Sequence, residues 1–256
     1  MPVPDPETSL LVLARIAGLV LAAPVFGHLL VPVRVRAGLA VLMAVALAAA
    51  LARAPSDAPA TLPGLVGALA VESALGAVLG LVAQFIFAGV QLGGQIAGLQ
   101  MGFGIVNLID PQSHAQVTIV AQWQQLLALL VFLVLDVHHL LLRALLESFR
   151  TAPPGALAMS AVGLPAAVGL ASGIFVIGAR IAAPVMIALL LSNATLGLLA
   201  RTVPQLNVFV VGFPLNVGVG LMVLGASLPF TFRLLAARFG ALEPTLGALV
   251  RGLAHG

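Results

Sequence analysis

Long apolar segments separated by short polar or proline-bearing stretches make up most of this 256-residue chain. The segments do not alternate between polar and apolar residues with period two, so they predict α-helices and not the strands of a β-barrel. A straight membrane-spanning helix needs about 20 apolar residues. The segment 37–52 is too short for such a span and the segment 62–92 is too long. These lengths predict bent helical hairpins within an assembly, not a simple row of spans.

The composition narrows the class of protein. The chain is 61% hydrophobic and 7% charged, whereas a soluble domain is typically about 25% charged. So little charge cannot cover a water-facing surface, which predicts an all-α integral membrane protein with the lipid bilayer as a partner. The net charge of +3 comes from scattered arginines without a basic stripe, which excludes a nucleic-acid partner. The chain has no cysteine, so disulfides and thiolate chemistry are excluded.

The central apolar segments meet at a turn, with glycines at helical spacing from Gly94 onward and a break in the helix at residues 107–116. Gly94, Gly98 and Gly102 recur every four residues, a spacing that lets helix backbones approach closely. Asp110-Pro111 is typical of a turn, and Asp110 is positioned to cap the helix that follows. Non-helical backbone inside a bilayer is tolerated only where protein buries it or where it lines a cavity. This turn is therefore either a tight packing point or the lining of a passage.

Isolated charges lie within the apolar segments. Arg15 is predicted to extend its guanidinium to a membrane interface. Arg180 is flanked by long apolar runs, where an unpaired charge costs on the order of a few kcal/mol or more. Glu72 and Asp136 are the candidate partners of Arg180, and the sequence does not distinguish between them. These two carboxylates and Arg180 form a candidate intramembrane charge network.

The sequence gives no support for catalysis or for a cofactor. It has no arrangement of nucleophile, base and orienting group, no phosphate-binding loop and no carboxylate pair at catalytic spacing. His138 and His139 are adjacent, but neighbouring side chains on a helix point about 100° apart, so the two imidazoles are not expected to face one metal ion. A helix end near the membrane interface explains the pair more simply. The chain is therefore predicted to be neither an enzyme nor a metal-binding protein.

The C-terminal region, residues 231–256, has a different pattern. Charged residues lie off a stripe of apolar residues that recur every three or four positions, namely Phe232, Leu235, Phe239, Leu242, Leu246, Leu249 and Leu253. This pattern predicts one amphipathic, mildly basic helix that lies on a membrane face or on a partner.

Six short motifs carry a resemblance to a known family: Ala22-Ala-Pro-Val-Phe-Gly27, Pro32-Val-Arg-Val-Arg-Ala-Gly-Leu39, Gly98-Leu-Gln-Met-Gly102, Asp110-Pro111, Phe149-Arg-Thr-Ala-Pro-Pro-Gly155 and Arg201-Thr-Val-Pro-Gln-Leu-Asn-Val-Phe209. In this order, and over most of the chain, they resemble the FliR family. Its members are membrane components of the flagellar type III protein-export gate. Val211-Gly-Phe-Pro-Leu215 is similar to the flagellar branch more than to the related virulence-injectisome branch, the SctT family.

The resemblance implies a structural subunit without enzymatic activity. In this family one copy assembles with several copies of FliP and FliQ into a helical, cone-like gate, with FlhA and FlhB on its cytoplasmic side. Residues 10–150 would then form a FliP-like part and residues 156–230 a FliQ-like hairpin. The expected location is the bacterial inner membrane within the flagellar basal body. Unfolded flagellar subunits are the expected export substrates.

The family's plug loop corresponds to residues 102–116 of this chain. The resemblance implies that Phe103, Ile105 and Leu108 form its apolar obstruction, although relatives often have phenylalanines at the second and third of these positions. Four residues would frame the plug loop, namely Gly102, Gly104, Asp110 and Pro111. An apolar constriction can gate a pore by dewetting, and glycine lets a loop move aside at little steric cost.

Three alternative functions are consistent with parts of the sequence. The first is the injectisome version of the same gate. The second is an ion-coupled secondary transporter, which would use the isolated charges and the helices broken by proline and glycine, although the two halves show no evident internal repeat. The third is a passive scaffold that takes no part in the conduit.

Overall fold

The computed structural model of the chain describes residues 5–24, 32–51, 61–104, 117–156, 163–203, 205 and 207–254. In these ranges every regular element is an α-helix and no strand occurs, so the all-α prediction is confirmed there. The helices in these ranges are α1 Pro6–Ala22, α2 Val33–Leu51, α3 Leu62–Gln100, α4 Ile119–Val134, α5 Val137–Thr151, α6 Gly163–Thr202, α7 Val208–Ala226, α8 Leu228–Gly240 and α9 Leu242–Ala254.

The first helix ends directly before Ala23, the residue that precedes Pro24. Ala23, the residue after α1, has extended backbone with ψ of 137°. It directly precedes Pro24, and a proline ring disfavours helical backbone in the residue before it. The N–H of Ala23 still donates to the Leu19 carbonyl at 2.8 Å, which closes the last turn of α1.

Two helices are much longer than the rest. α3 has 39 residues and α6 has 40. At 1.5 Å per residue α3 is about 58 Å long, against about 30 Å for the hydrocarbon core of a bilayer. Among the described residues, α3 and the part Ala171–Thr202 of α6 are long and apolar enough to cross a membrane. The prediction that the segment starting at Leu62 is too long for one straight span is confirmed, and this helix continues to Gln100.

Two further candidate spans are bent pairs of helices. α4 and α5 meet at an angle of 62°, and Val210–Ala226 meets Leu228–Gly252 at 52°. If each bent pair counts as one span, the described residues contain up to four. The sequence predicted bent helical hairpins from the lengths of the segments 37–52 and 62–92, whereas the structure has these two joints elsewhere and the segment from Leu62 is one continuous helix.

The chain divides into two compact units, and α3 contributes to both. Unit 1 consists of Met1–Phe85, Phe132–Ala171 and Phe239–Gly256, and unit 2 of Ile86–Val131 and Ser172–Arg238. Within unit 1, α1 packs against α2, and α9 packs against α5. Within unit 2, the C-terminal part of α3 contacts α4, α6 and α7.

The C-terminal region contains two helices where the sequence predicted one. α8 ends at Gly240 and α9 begins at Leu242. On α9 the predicted apolar stripe is buried at Leu242, Leu246 and Leu249. Because α9 packs against α5 of the same unit, this part of the stripe faces another helix of its own chain.

Candidate functional site

A glycine in left-handed conformation closes the C-terminal end of α3. Gly102 has a φ of 98°, and its N–H donates to the Leu99 carbonyl at 3.0 Å while the Phe103 N–H donates to the Gly98 carbonyl at 3.0 Å. This pair of bonds is a Schellman motif, which satisfies carbonyls that a helix end leaves free. Glycine suits the position because a side chain at positive φ is strained. Gly102 therefore ends α3 and does not extend the helical row formed by Gly94 and Gly98.

Phe103, at the start of the predicted plug loop, packs into the interior of unit 2. Its half-buried ring packs against an apolar cluster, called here the Met101 cluster, which consists of Ala97, Met101, Val120, Val185, Leu189 and Leu224. A hydrophobic contact between the residue after a Schellman glycine and the last turns of the helix is common. The Met101 cluster includes Ala97 and Met101 of the last turns of α3, so the packing of Phe103 against this cluster agrees with that pattern.

The start of α4 is fixed to the same end of α3. Thr118 is the N-cap of α4, since its hydroxyl oxygen accepts a hydrogen bond from the Ala121 N–H at 3.2 Å. The same hydroxyl donates to the Gly94 carbonyl, 3.3 Å away. A Cβ at Gly98 would lie 2.6 Å from the Thr118 hydroxyl oxygen, so a larger residue there would push the two helices apart. Both flanks of the segment 105–116 are therefore held by α3–α4 contacts.

Gly94 makes the second close contact between α3 and α4. A Cβ at this position would lie 2.8 Å from Oε1 of Gln124 and 2.9 Å from the Ala121 methyl group. Gln124 is buried, and its Oε1 has no hydrogen-bond partner among the described residues. The structure thus places Gly94 and Gly98, which the sequence marked for helix packing, on the face of α3 that meets α4.

Part of the predicted plug loop is not described. Four of its predicted residues lie outside the described residues, namely Ile105, Leu108, Asp110 and Pro111. Gly104 is described, and a Cβ there would lie 2.5 Å from Cδ2 of Leu99. The cap of α4 that the structure describes is Thr118. The proposed roles of the four residues remain predictions.

A second constellation, in unit 1, was missed by sequence reasoning. Arg15 is 0% exposed and does not extend to an interface, so that prediction is wrong. Its Nε donates to Oε2 of the buried Glu72 at 2.5 Å. The pair can form because the backbone of α1 at Arg15 lies directly against Gly76 of α3, where a side chain would not fit. The available signal was one arginine in the apolar part of α1 and one glutamate alone in the apolar helix α3, together with a small residue one turn from the glutamate.

Other groups complete the surroundings of this ion pair. Arg15 Nη1 donates to the Ser148 hydroxyl at 3.1 Å, and the Arg15 Cζ lies 4.3 Å from the centroid of the Phe149 ring. Glu72 Oε1 accepts a hydrogen bond from the Gly155 N–H at 3.1 Å. Buried charges are costly unless they are paired and hydrogen-bonded. The pair therefore joins α1 and α3 to α5 and to the turn at Gly155, which has a φ of 87°.

Asp136 and Arg180, the other members of the predicted charge network, form no ion pair with Arg15 or Glu72 in the described residues. Asp136 lies at the joint between α4 and α5, with its Oδ1 3.3 Å from Nδ1 of His139 and 3.9 Å from Nε2 of His138. Arg180 is exposed on α6, and within the described ranges it makes no ion pair. The structure thus describes partners for Glu72 and Asp136, and Arg180 is not among them.

Comparisons with known proteins match the chain to a family of bacterial export proteins. Residues 7–242 match a family model described as bacterial export proteins, family 1. The chain is 39% identical to the flagellar biosynthetic protein FliR of Escherichia coli (strain K12) over 143 residues, which are 56% of this chain and 55% of that protein. It is 39% identical to FliR of Bacillus subtilis (strain 168) over 142 residues, 54% of this chain and 55% of that one. These alignments span about half the length of the two relatives.

A longer alignment joins the chain to a third relative. It is 31% identical over 218 residues to the flagellar biosynthetic protein FliR of Caulobacter vibrioides. That alignment covers 85% of this chain and 87% of the relative. It includes α3, the turn at Gly102 and the start of α4, since fewer than 40 residues of the chain are left unaligned.

Proposed function

Because the chain belongs to the bacterial export proteins of family 1, the FliR family, we propose that it is a structural subunit of the flagellar type III protein export gate. In this proposal the chain forms part of the conduit, and the plug loop is its apolar plug. Unfolded flagellar subunits pass through the conduit across the bacterial inner membrane, in the flagellar basal body. The family match over residues 7–242 is the observation that carries the proposal.

The helix dimensions support a place in a multi-subunit assembly. α3 is about 58 Å long, nearly twice the thickness of the hydrocarbon core. Large apolar side chains are exposed on several helices, for example Leu42 of α2, Val134 of α4, Leu190 of α6 and Met222 of α7. Surfaces of this kind need lipid or protein to cover them. The expected partners are FliP and FliQ along the conduit, with FlhA and FlhB as further export components.

The hydrogen bonds at the two flanks of the plug loop support its proposed role as the plug. The Schellman end at Gly102 and the Thr118 cap satisfy the ends of α3 and α4 without the loop. Neither helix end therefore depends on residues 105–116 for these hydrogen bonds. Of the three predicted plug residues, Phe103 packs against the Met101 cluster, so the proposal assigns the obstruction chiefly to Ile105 and Leu108. A constriction formed by them stops ions by dewetting.

Replacing both Ile105 and Leu108 with serine tests the plug. The variant chain is expressed in a strain that lacks the native one, and co-purification of FliP and FliQ verifies that the gate assembles. We expect the assembled variant gate to leak ions, because serine hydroxyls keep the constriction hydrated. Depolarisation of the inner membrane measures the leak.

The matched control is Ile119→Ser. Ile119 is an exposed apolar residue on the first turn of α4, outside the plug loop, so this variant is expected to remain tight. An assembled Ile105→Ser, Leu108→Ser gate that is as tight as the wild type would contradict the plug assignment.

A crosslinking measurement separates a conduit subunit from a passive scaffold. A photo-reactive residue at position 105 is expected to crosslink to an export substrate that is stalled in the gate. The same residue at the exposed Met222 position of α7 serves as the comparison site. Absence of a substrate crosslink from position 105 would favour the scaffold. Loss of swimming motility in a deletion strain distinguishes the flagellar pathway from the injectisome pathway.

A further inference from the structure

The joint between α4 and α5 brings one carboxylate and two imidazoles together. Asp136 directly precedes α5 and has left-handed backbone with φ 53° and ψ 29°, which is uncommon for a residue other than glycine. Its Oδ1 lies 3.3 Å from Nδ1 of His139 and 3.9 Å from Nε2 of His138. One ligand atom from each of the three side chains lies within 4.8 Å of the other two.

The two imidazoles converge although they are neighbours in sequence. Their ring centroids are 4.1 Å apart and the rings are tilted by 37°. Helical spacing separates only the Cα–Cβ directions, whereas rotation about the side-chain bonds can bring the ring nitrogens back towards a common point. Nδ1 of His138 is buried without a hydrogen-bond partner among the described residues. Nε2 is therefore the His138 nitrogen that a ligand can reach.

We propose that Asp136, His138 and His139 bind one zinc ion at this joint. With zinc–ligand bonds of about 2.0–2.2 Å, neighbouring ligand atoms in a tetrahedral site are about 3.3–3.6 Å apart. The 3.3 Å pair already matches this spacing, whereas side-chain rotation has to shorten the 3.9 Å pair and bring the two imidazole nitrogens, which lie within 4.8 Å of each other, into the same range. Two imidazoles and one carboxylate suit zinc, whereas Mg²⁺ and Ca²⁺ take more oxygen ligands. Three protein ligands leave the fourth zinc position to water.

The surroundings allow a cation to reach this site. The side chains of Asp136 and His139 are 70% and 61% exposed, and that of His138 is 25% exposed. The face of α5 beyond the joint carries the exposed pair Glu147 and Arg150, 3.5 Å apart, as is typical of a surface in contact with water. The N-terminus of α5 has partial positive charge, but the carbonyl end of α4 meets it at the same joint and offsets that charge.

A bound zinc ion would fasten the Asp136 carboxylate to the first turn of α5. That connection would add to the backbone hydrogen bonds of Asp136 with Leu133, His139 and Leu140, and so stabilise the left-handed backbone at the joint. This role is separate from the export function proposed above and does not depend on it.

Zinc titration of the purified full-length chain tests the site. The chain carries an affinity tag without histidine, and a chromogenic chelator competes for Zn²⁺. We expect one Zn²⁺ per chain and a rise in melting temperature when it binds. His139→Ala is expected to weaken binding by at least about 100-fold, because loss of an outer-shell partner alone typically costs about 10–100-fold. His139 is exposed, so its removal leaves the packing of unit 1 in place.

Two further variants complete the experiment. Asp136→Asn keeps the size of the side chain, removes its charge and is expected to weaken binding as well. The matched control replaces the three other histidines of the chain with alanine, namely His28, His114 and His255, and is expected to bind zinc like the wild type. No zinc uptake by the wild type, unchanged affinity in both site variants, or loss of binding in the triple control would each overturn the proposal.

Discussion

The two units hold the same long helix in different ways. In unit 1 the α3 residue Glu72 forms a buried ion pair with Arg15 and accepts a hydrogen bond from Gly155. In unit 2 the α3 residues Gly94 and Gly98 lie against α4 without room for a side chain, and the Met101 cluster has no charged member. Glycines allow close packing at both ends of α3, at Gly76 in unit 1 and at Gly94 and Gly98 in unit 2, but only the unit 1 end also carries a buried ion pair.

This difference predicts different responses to mutation. Removing one partner of a buried ion pair is strongly destabilising, because the remaining charge stays desolvated without a compensating partner. An apolar cluster loses stability in proportion to the volume removed and to how well its neighbours can relax. Substitutions in the two units should therefore differ in how much unfolding free energy they remove. They should also differ in whether a second substitution restores it.

Glu72→Ala is expected to have the largest effect. It leaves the guanidinium of Arg15 buried without its carboxylate, which costs about 3–5 kcal/mol in the free energy of unfolding. Denaturant unfolding in detergent measures the loss. Replacing Arg15 and Glu72 together with methionine is expected to restore most of it, because exchange of a buried pair for apolar residues is often neutral or stabilising. A loss below about 1 kcal/mol, as for an exposed ion pair, would show that the pair does not stabilise unit 1.

Met101→Ala is expected to reduce the free energy of unfolding by about 2–3 kcal/mol, in the lower part of the range for such truncations. Met101 is fully buried and fills the space above Gly220 of α7, but the neighbouring Phe103 ring can move into part of the cavity. The same unfolding measurement applies. Met222→Ala, on the exposed face of α7, is the matched control and should change stability by less than about 0.5 kcal/mol. Equal losses in the two variants would argue against the Met101 cluster as the core of unit 2.

Gly102→Ala is expected to cost about 1–2 kcal/mol, because alanine at φ 98° is strained. The measurement is again the unfolding free energy in detergent. Gly218→Ala is the control in the same unit, since Gly218 lies within α7 and a Cβ at that position would have no neighbouring atom within 4 Å. That control is expected to be neutral or to stabilise by up to about 1 kcal/mol, because alanine favours the helix. A neutral Gly102→Ala would contradict the left-handed end of α3.

Thr118→Ala is expected to have the smallest effect of the four, about 1 kcal/mol, from loss of the α4 cap and of the bond to the Gly94 carbonyl. Hydrogen exchange of the Ala121 N–H, followed by mass spectrometry, should report faster opening of the first turn of α4. Thr195→Ala provides the comparison, since Thr195 is exposed on α6 and its hydroxyl donates to the Leu191 carbonyl of the same helix. If both variants exchange like the wild type, Thr118 does not fix the start of α4.

The sequence predicted the parts of the fold that are determined by residues close together along the chain. The apolar segments without alternation indicated helices, and Leu242 and Leu246 lie on the buried side of α9 as their spacing required. The glycine spacing marked Gly94 and Gly98 for close packing, but it could not show that Gly102 ends the helix, because the same spacing fits both situations. Phe103 was identified as a plug residue by resemblance, and its packing against the Met101 cluster was visible only in the structure.

By itself the sequence determined that this is an all-helical chain with apolar segments of uneven length, because hydrophobicity and helical periodicity are local properties. Only the tertiary structure decided which charges meet. Arg15 and Glu72 are separated by 57 positions, and their pairing depends on how α1 and α3 are rotated about their own axes when they pack. That rotation is determined jointly by all the side chains that pack between the two helices, so it cannot be predicted from a short stretch of sequence.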